Sequence, residues 1–181
     1  MDIASLVNVS SRAWSLAILA ALASGTPGRQ AALLTRTGAG RTALAASLRH
    51  LIDLQLVERN PGHGHPLRPE YRLTPTGKTV GATAVRIMEL ASGRADAALI
   101  RRTWTLPILA VTERPRRFGE VRSALDNVSD RALAASLRDL EEHTWLRRRV
   151  DVAERPPRPT YEAIGLGAQL SNVIGIAETR C

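Results

Sequence analysis

The stretch Ala43-Leu44-Ala45-Ala46-Ser47-Leu48-Arg49 returns letter for letter as Ala132-Leu133-Ala134-Ala135-Ser136-Leu137-Arg138. A heptamer repeated within one chain reads as an internal duplication, and each copy must then fold into the same kind of unit. Its leucines continue at Leu51 and Leu140, so apolar side chains recur at i, i+4 and i+7, the spacing of one helical face. The opposite face carries Arg41, Thr42, Ala45, Ala46 and Arg49 in the first copy, and Arg131, Ala134, Ala135 and Arg138 in the second. A short helix with a leucine keel and an arginine-bearing outer face therefore occurs twice.

The duplication reaches beyond the heptamer. The segment from Arg12 to Ala20, with Trp14, Ile18 and Leu19, parallels Arg102 to Ala110 at an offset of 90 (104 − 14). Arg68-Pro69-Glu70-Tyr71 parallels Arg158-Pro159-Thr160-Tyr161 at the same offset, whereas the heptamer is offset by 89 (132 − 43). Insertions this small belong in loops. Two units follow, residues 1–92 and 93–181. Each is small enough to bury only a modest core, so the copies are expected to pack on each other.

Charge narrows the function. Twenty-five Lys and Arg against 17 Asp and Glu give a net charge of +8, with Lys78 the single lysine. Such a balance points to an anionic partner, nucleic acid ahead of membrane; the blander reading is arginine-rich coding on an ordinary solvated surface. No apolar run reaches the roughly 18 to 20 residues that cross a bilayer, and Met1 to Arg12 lacks the basic leader of a signal peptide. A cytoplasmic protein without a membrane partner is expected. Cys181 is the single cysteine, which leaves no intramolecular disulfide and no cysteine-based metal cluster. His63-Gly64-His65 offers two imidazoles without a third ligand and reads as solvated. Neither a Gly-x-Ser-x-Gly nucleophile motif nor a glycine-rich phosphate loop is present, so no catalysis and no cofactor are expected.

Along the first copy, Ser10 or Ser11 is expected to cap a helix on which Trp14, Ile18 and Leu22 share a face, ending at Gly25-Thr26-Pro27-Gly28. A second helix over Arg29 to Thr35, the turn Thr37-Gly38-Ala39-Gly40 and the keel helix from Arg41 to Leu54 give helix-turn-helix spacing. Leu56 to Arg59 and Tyr71 to Leu73 read as strands around a loop dense in Pro, Gly and His, which makes a wing. Thr74-Pro75 then opens a helix as cap and first-turn proline, with Val80, Ala84, Ile87, Met88 and Ala91 on one stripe up to Ser92-Gly93. Its counterpart stripe is Leu170, Val173, Ile174 and Ala177. These two helices could face each other across a pseudo-two-fold axis, pack on their own units, or pair with a second chain.

In the second copy Pro107 requires the first helix to begin near Leu106 or to kink there. Arg117 to Leu125 is the second helix, Asp126-Asn127-Val128 the turn, and Ser129 the cap of the keel helix. Leu146 to Val152 and Tyr161 to Ile164 are the wing strands. Along the first of them Arg147, Arg148 and Arg149 alternate faces, so at most two point the same way.

These motifs together carry a resemblance. Trp104 followed by Ile108-Leu109, Arg117-Phe118 opening a helix, Leu133, Leu137-Arg138 and Leu140 on the keel, and Arg68-Pro69-Glu70-Tyr71-Arg72-Leu73-Thr74-Pro75-Thr76-Gly77 resemble the HxlR-type winged helix-turn-helix regulators, in two tandem copies. The resemblance implies an α+β, mainly helical fold: a three-helix core, a two-stranded wing and a terminal helix used for dimerisation. Members are usually single-unit homodimers, so this chain resembles such a dimer fused head to tail, an intramolecular pseudo-dimer that is monomeric or paired again as a homodimer. Three departures stand out. The cysteine common before the tryptophan is missing from Leu6 to Arg12 and from Leu99 to Arg102, the glycine usual after the keel helix is Gln55 or Thr144, and the reader positions are Ala45, Ala46, Ala134 and Ala135. Alanine can touch a thymine methyl but cannot hydrogen-bond a base edge.

The function so implied is a DNA-binding transcriptional regulator whose keel helices enter successive major grooves of double-stranded DNA, roughly 34 to 36 Å apart. Arg41, Thr42, Ser129 and Arg131 sit at helix amino ends, where base edges are reached; Arg49 and Arg138 lie two turns on and suit phosphates; Arg68 and Arg158 sit on the wings. Because the heads differ, the DNA site would be an asymmetric pseudo-palindrome. The alternative is a winged-helix protein that binds a small-molecule effector, as a sensor or a drug-sequestering resistance protein, with weakened base reading. Trp14, Trp104 and Trp145, three of six aromatic residues, would then line its cavity if they are not simply core.

Overall fold

The computed structural model describes residues 1–60, 69–151 and 158–175. The chain divides into a first unit, Asn8–Ala97, and a second unit made of Ala98–Cys181 together with Met1–Val7. Both are mainly helical, and both repeat the winged helix-turn-helix order of elements.

Helix α1 (Ile3–Ser10) begins at Asp2, whose Oδ1 accepts the Ser5 backbone N–H at 2.7 Å. That hydrogen bond holds the Asp2 carboxyl below the ordinary carboxylate range. Ser10 and Ser11 therefore do not cap the next helix. Ser10 is the buried last residue of α1, and the Ser11 hydroxyl donates to the Asn8 carbonyl at 2.7 Å, closing α1 instead. Helix α2 (Ser15–Ala23) starts behind Trp14 without a side-chain cap.

The first unit continues with α3 (Gln30–Thr37), α4 (Arg41–Asp53), β1 (Val57–Asn60), β2 (Glu70–Leu73) and α5 (Pro75–Leu90). Thr74 caps α5 by accepting the Gly77 N–H at 3.0 Å, with Pro75 in the first turn, as its residue types predict. Strands β1 and β2 are antiparallel, with Val57 opposite Leu73. Helix α6 (Arg94–Ile100) follows.

The second unit contains α7 (Thr105–Val111), β3 (Arg116–Arg117), α8 (Phe118–Leu125), α9 (Asp130–Glu142), β4 (Leu146–Asp151), β5 (Arg158–Ala163) and α10 (Gly165–Ile174). Pro107 falls in the first turn of α7, where a backbone N–H would have no intrahelical partner, so the helix can start at Thr105, two residues before it. The sheet order is β3-β5-β4, all neighbours antiparallel. Strand β3 leaves no mark in the sequence, because two residues carry no periodicity. In the first unit a single bridge, Arg29 to Glu70, takes its place.

Each core is built from equivalent positions. Leu16, Ile18 and Leu19 of α2, Leu33 of α3, Leu44, Leu48 and Leu51 of α4, and Ala84 and Ile87 of α5 are buried in the first unit. Leu106, Ile108 and Leu109 of α7, Val121 of α8, Leu133, Leu137 and Leu140 of α9, and Ile174 of α10 hold equivalent positions in the second, where Leu125 and Leu170 are buried as well. Within its own unit α5 packs on α2, and α10 packs on α7.

The elements also locate the length differences. The extended residues that open α3 and α8 are Arg29 and Arg117, an offset of 88 (117 − 29), against 90 at the tryptophans and 89 at the keels. The second copy thus loses two residues before α8, regains one in the turn before α9 and one more in the wing.

Two backbone constraints recur. A Cβ on Gly77 would lie 1.9 Å from the Leu56 carbonyl oxygen, and one on Gly167 would lie 2.1 Å from that of Trp145. Those carbonyls accept the N–H of Thr74 (3.1 Å) and Ile164 (2.9 Å), which clamps the return strand and the start of α5 or α10 against the end of the keel helix. At that keel end, Gln55 and Thr144 adopt φ = 56° each, the left-handed region that favours glycine.

Gly77→Ala and Gly167→Ala are expected to destabilise their units by about 2 kcal/mol or more each, because backbone has to move. Gln55→Gly and Thr144→Gly are expected to stabilise by roughly 0.5–1 kcal/mol, more at the β-branched Thr144. Urea midpoints moving in these opposite directions, at unchanged slope, would check both.

Candidate nucleic-acid interface

In the first unit, α3 ends at Gly38, which takes φ = 71° and gives its N–H to the Leu34 carbonyl at 2.9 Å. The Thr37 hydroxyl donates to Leu33 O at 2.7 Å and accepts from the Ala39 N–H at 3.3 Å, stiffening the turn. Helix α4 then buries Leu44, Ser47, Leu48 and Leu51. With those four turned inward, Arg41, Thr42, Ala45, Ala46 and Arg49 are exposed. His50, one residue further, rests its Nε2 2.8 Å from Asn8 O and 3.1 Å from Ser11 Oγ.

The second unit builds the same surface by different means. Its turn passes through Asp126 and Asn127 at φ = 39° and 44°, residue types that tolerate this region better than most. Ser129 caps α9, its Oγ accepting the Ala132 N–H at 3.2 Å. Leu133, Leu137 and Leu140 are buried, and Asp130, Arg131, Ala134, Ala135 and Arg138 are exposed. Arg122 of α8 contacts Asp130, and Arg102 pairs with Asp139.

The wing of the second unit adds further cations. Arg147, Arg148 and Arg149 on β4 are all exposed, and Arg147 stands opposite Glu162. Arg147 Nη2 donates to Glu162 Oε2 at 2.7 Å, and that bond, with the charges of Arg147 and Arg149, holds the Glu162 carboxyl below the ordinary range. Arg158 is exposed at the start of β5. It lines an open concavity of ≈ 410 Å³ with Arg117, Phe118, Gly119, Glu120 and Pro159, at the start of α8. Arg68, His63 and His65 lie outside the described residues.

Among the tryptophans, Trp145 is buried and Trp14 and Trp104 are half-buried where α2 and α7 begin. A second concavity, of ≈ 260 Å³, lies in the first unit among Ala17, Ala20 and Ala21 of α2, Arg36 and Thr37 of α3 and Val85, Met88 and Glu89 of α5. Neither concavity has a tryptophan in its lining. Among the described residues no group of three or more His, Cys, Asp or Glu could hold a metal ion, and no single helix is long and apolar enough to cross a membrane.

The HxlR-like helix-turn-helix family model matches the chain twice, at residues 9–98 and 99–178. No curated protein sequence matches it. Among solved structures, it is similar to a protein assigned to the MarR family of transcriptional regulators from Porphyromonas gingivalis W83, with 26% identity and a TM-score of 0.37 over 48% of this chain and 76% of that one. A MarR-family protein from Enterococcus faecalis V583 aligns at 22% identity and a TM-score of 0.36, covering 56% and 80%. The reduced form of the transcriptional regulator YodB from B. subtilis aligns at 22% and 0.37, covering 56% and 84%.

The Arg147–Glu162 pair yields a pH prediction. A carboxyl lowered in the folded state adds stability above its unfolded pKa and loses it as pH falls through the folded one. Because the pair is solvated, the effect on stability is small. In Arg147→Ala the Glu162 carboxyl is expected to titrate back in the ordinary range, with that acid-side loss of stability gone. Carboxyl-resonance NMR against pH reads this directly, and an unmoved Glu162 titration contradicts the pairing.

Proposed function

The chain belongs to the HxlR-like helix-turn-helix family, matched over both of its halves, and on that premise we propose that it is a cytoplasmic DNA-binding transcriptional regulator with two unlike reading heads. The observation that carries this reading is common to both units: the recognition helix buries three leucines and turns its arginines outward. In this mechanism the amino ends of α4 and α9 enter major grooves of double-stranded DNA. Arg41, Thr42, Ser129 and Arg131 approach base edges, Ser129 through its O–H, since its oxygen already serves the cap. Arg49 and Arg138, about 10 Å further along their helices, meet phosphates, as do Arg68 and Arg158 on the wings. One chain supplies both heads, and the site it reads is a pseudo-palindrome with unequal halves.

The exposed Ala45, Ala46, Ala134 and Ala135 favour a second reading, in which the fold has turned from base reading toward a small molecule. The ≈ 260 Å³ concavity among α2, α3 and α5 falls just short of the ligand pockets of about 300–1,000 Å³ usual in proteins. The net charge of +8 supports the first reading over this one.

Gel shift on the DNA upstream of the protein's own coding sequence, at two salt concentrations, separates the two. A regulator is expected to show sequence preference and a steep loss of affinity with salt. Arg49→Ala or Arg138→Ala should lower the salt slope by about one, and Arg41→Ala should cost about 1–3 kcal/mol on the preferred site. Quenching of tryptophan fluorescence by a small molecule, with no DNA shift at either salt, would favour the second reading.

A further inference from the structure

The two recognition helices begin with opposite charges. The first residue of α4 is Arg41 and that of α9 is Asp130, at the same place in the repeat (130 − 41 = 89, the keel offset), and both are exposed. The acid does not stand alone. Arg122 of α8 holds its Nε 2.6 Å from Asp130 Oδ1. At the offset of α3 and α8, Arg122 corresponds to Leu34 (122 − 34 = 88), so acid and cation occur together in one copy and neither occurs in the other.

Stability does not account for this exchange. The two side chains are 57% and 67% exposed, and ion pairs so solvated add little. Ser129 already caps α9, so the carboxylate adds there only its small, solvent-screened attraction to the helix dipole. On a surface that must approach phosphates, an acid is unfavourable unless its charge is offset and it meets a donor. Arg122 offsets the charge through Oδ1, which leaves Oδ2 to accept. In the major groove cytosine presents the N4 amino donor, guanine presents acceptors that repel a carboxylate, and adenine sets its N7 acceptor beside its N6 donor. Arg41, with donors alone, suits guanine O6 and N7.

Resting on the regulator reading, we propose that Asp130 is the specificity-determining residue of the second head. It selects cytosine at the base step where Arg41 of the first head selects guanine, and Arg122 is its positioning residue. The two half-sites, each read outward from the centre, therefore differ at that step.

Selection of bound duplexes from a randomised library by the full chain tests this. The wild type is expected to enrich guanine in one half-site and cytosine in the other, each about tenfold or more over the alternatives. Asp130→Arg should turn the cytosine into guanine, making the site more symmetric, and the near-isosteric Asp130→Asn, which guards against misfolding, should turn it into adenine. Arg122→Ala should reduce cytosine enrichment and weaken binding to every sequence. The same base selected in both half-sites by the wild type, or a second half-site unchanged in both Asp130 variants, overturns the assignment while leaving the regulator reading intact. A wild type that enriches no DNA at all sinks the regulator reading, and this inference with it.

Discussion

Burial of the leucine keel is the interaction on which the rest of each unit depends. Leu44, Leu48 and Leu51 in α4, and Leu133, Leu137 and Leu140 in α9, are at most 2% exposed. Each such leucine contributes about 1.5–3 kcal/mol by leaving water, so three of them outweigh any exposed ion pair, worth about 0–1 kcal/mol. The keel therefore sets the rotation of the helix about its own axis. The outward direction of Arg41, Arg49, Arg131 and Arg138 is a consequence of that burial.

Because the keel acts through backbone position, the contacts that follow it are repeated while the surface is free to change. Leu56 N–H meets Leu51 O at 2.9 Å, and Trp145 N–H meets Leu140 O at 3.0 Å, the same link with a different side chain attached. Outside the core the copies diverge. His50 touches the end of α1 where Asp139, its counterpart, pairs with Arg102. Insertions and losses of one or two residues sit in connections, where they shift no buried position.

Glycine is retained in one recurring place and replaced in another, for a physical reason. At Gly77 and Gly167 a side chain would strike a main-chain carbonyl that cannot yield without breaking the clamp. At Gln55 and Thr144 the demand is only for a positive φ. A non-glycine residue meets it at the cost of about 1–2 kcal/mol of local strain, which a unit with a filled core can carry.

The sequence by itself determined the duplication, the order of the helix-turn-helix, wing and terminal-helix elements, the Thr74 and Ser129 caps and which face of each recognition helix is apolar. All of these are periodic or local, and a repeat states them twice. Helices α1 and α6 and strand β3 it did not show. Tertiary structure decided what depends on distant neighbours. Ser10 and Ser11 closed one helix rather than opening the next, because α1 occupies the chain before them. The two-residue β3 exists only because β5 offers it a partner. Asp130 gained meaning only when folding brought Arg122, eight positions earlier in the chain, within 2.6 Å of it. Such pairings are set by how helices pack, which no spacing within a single helix can specify.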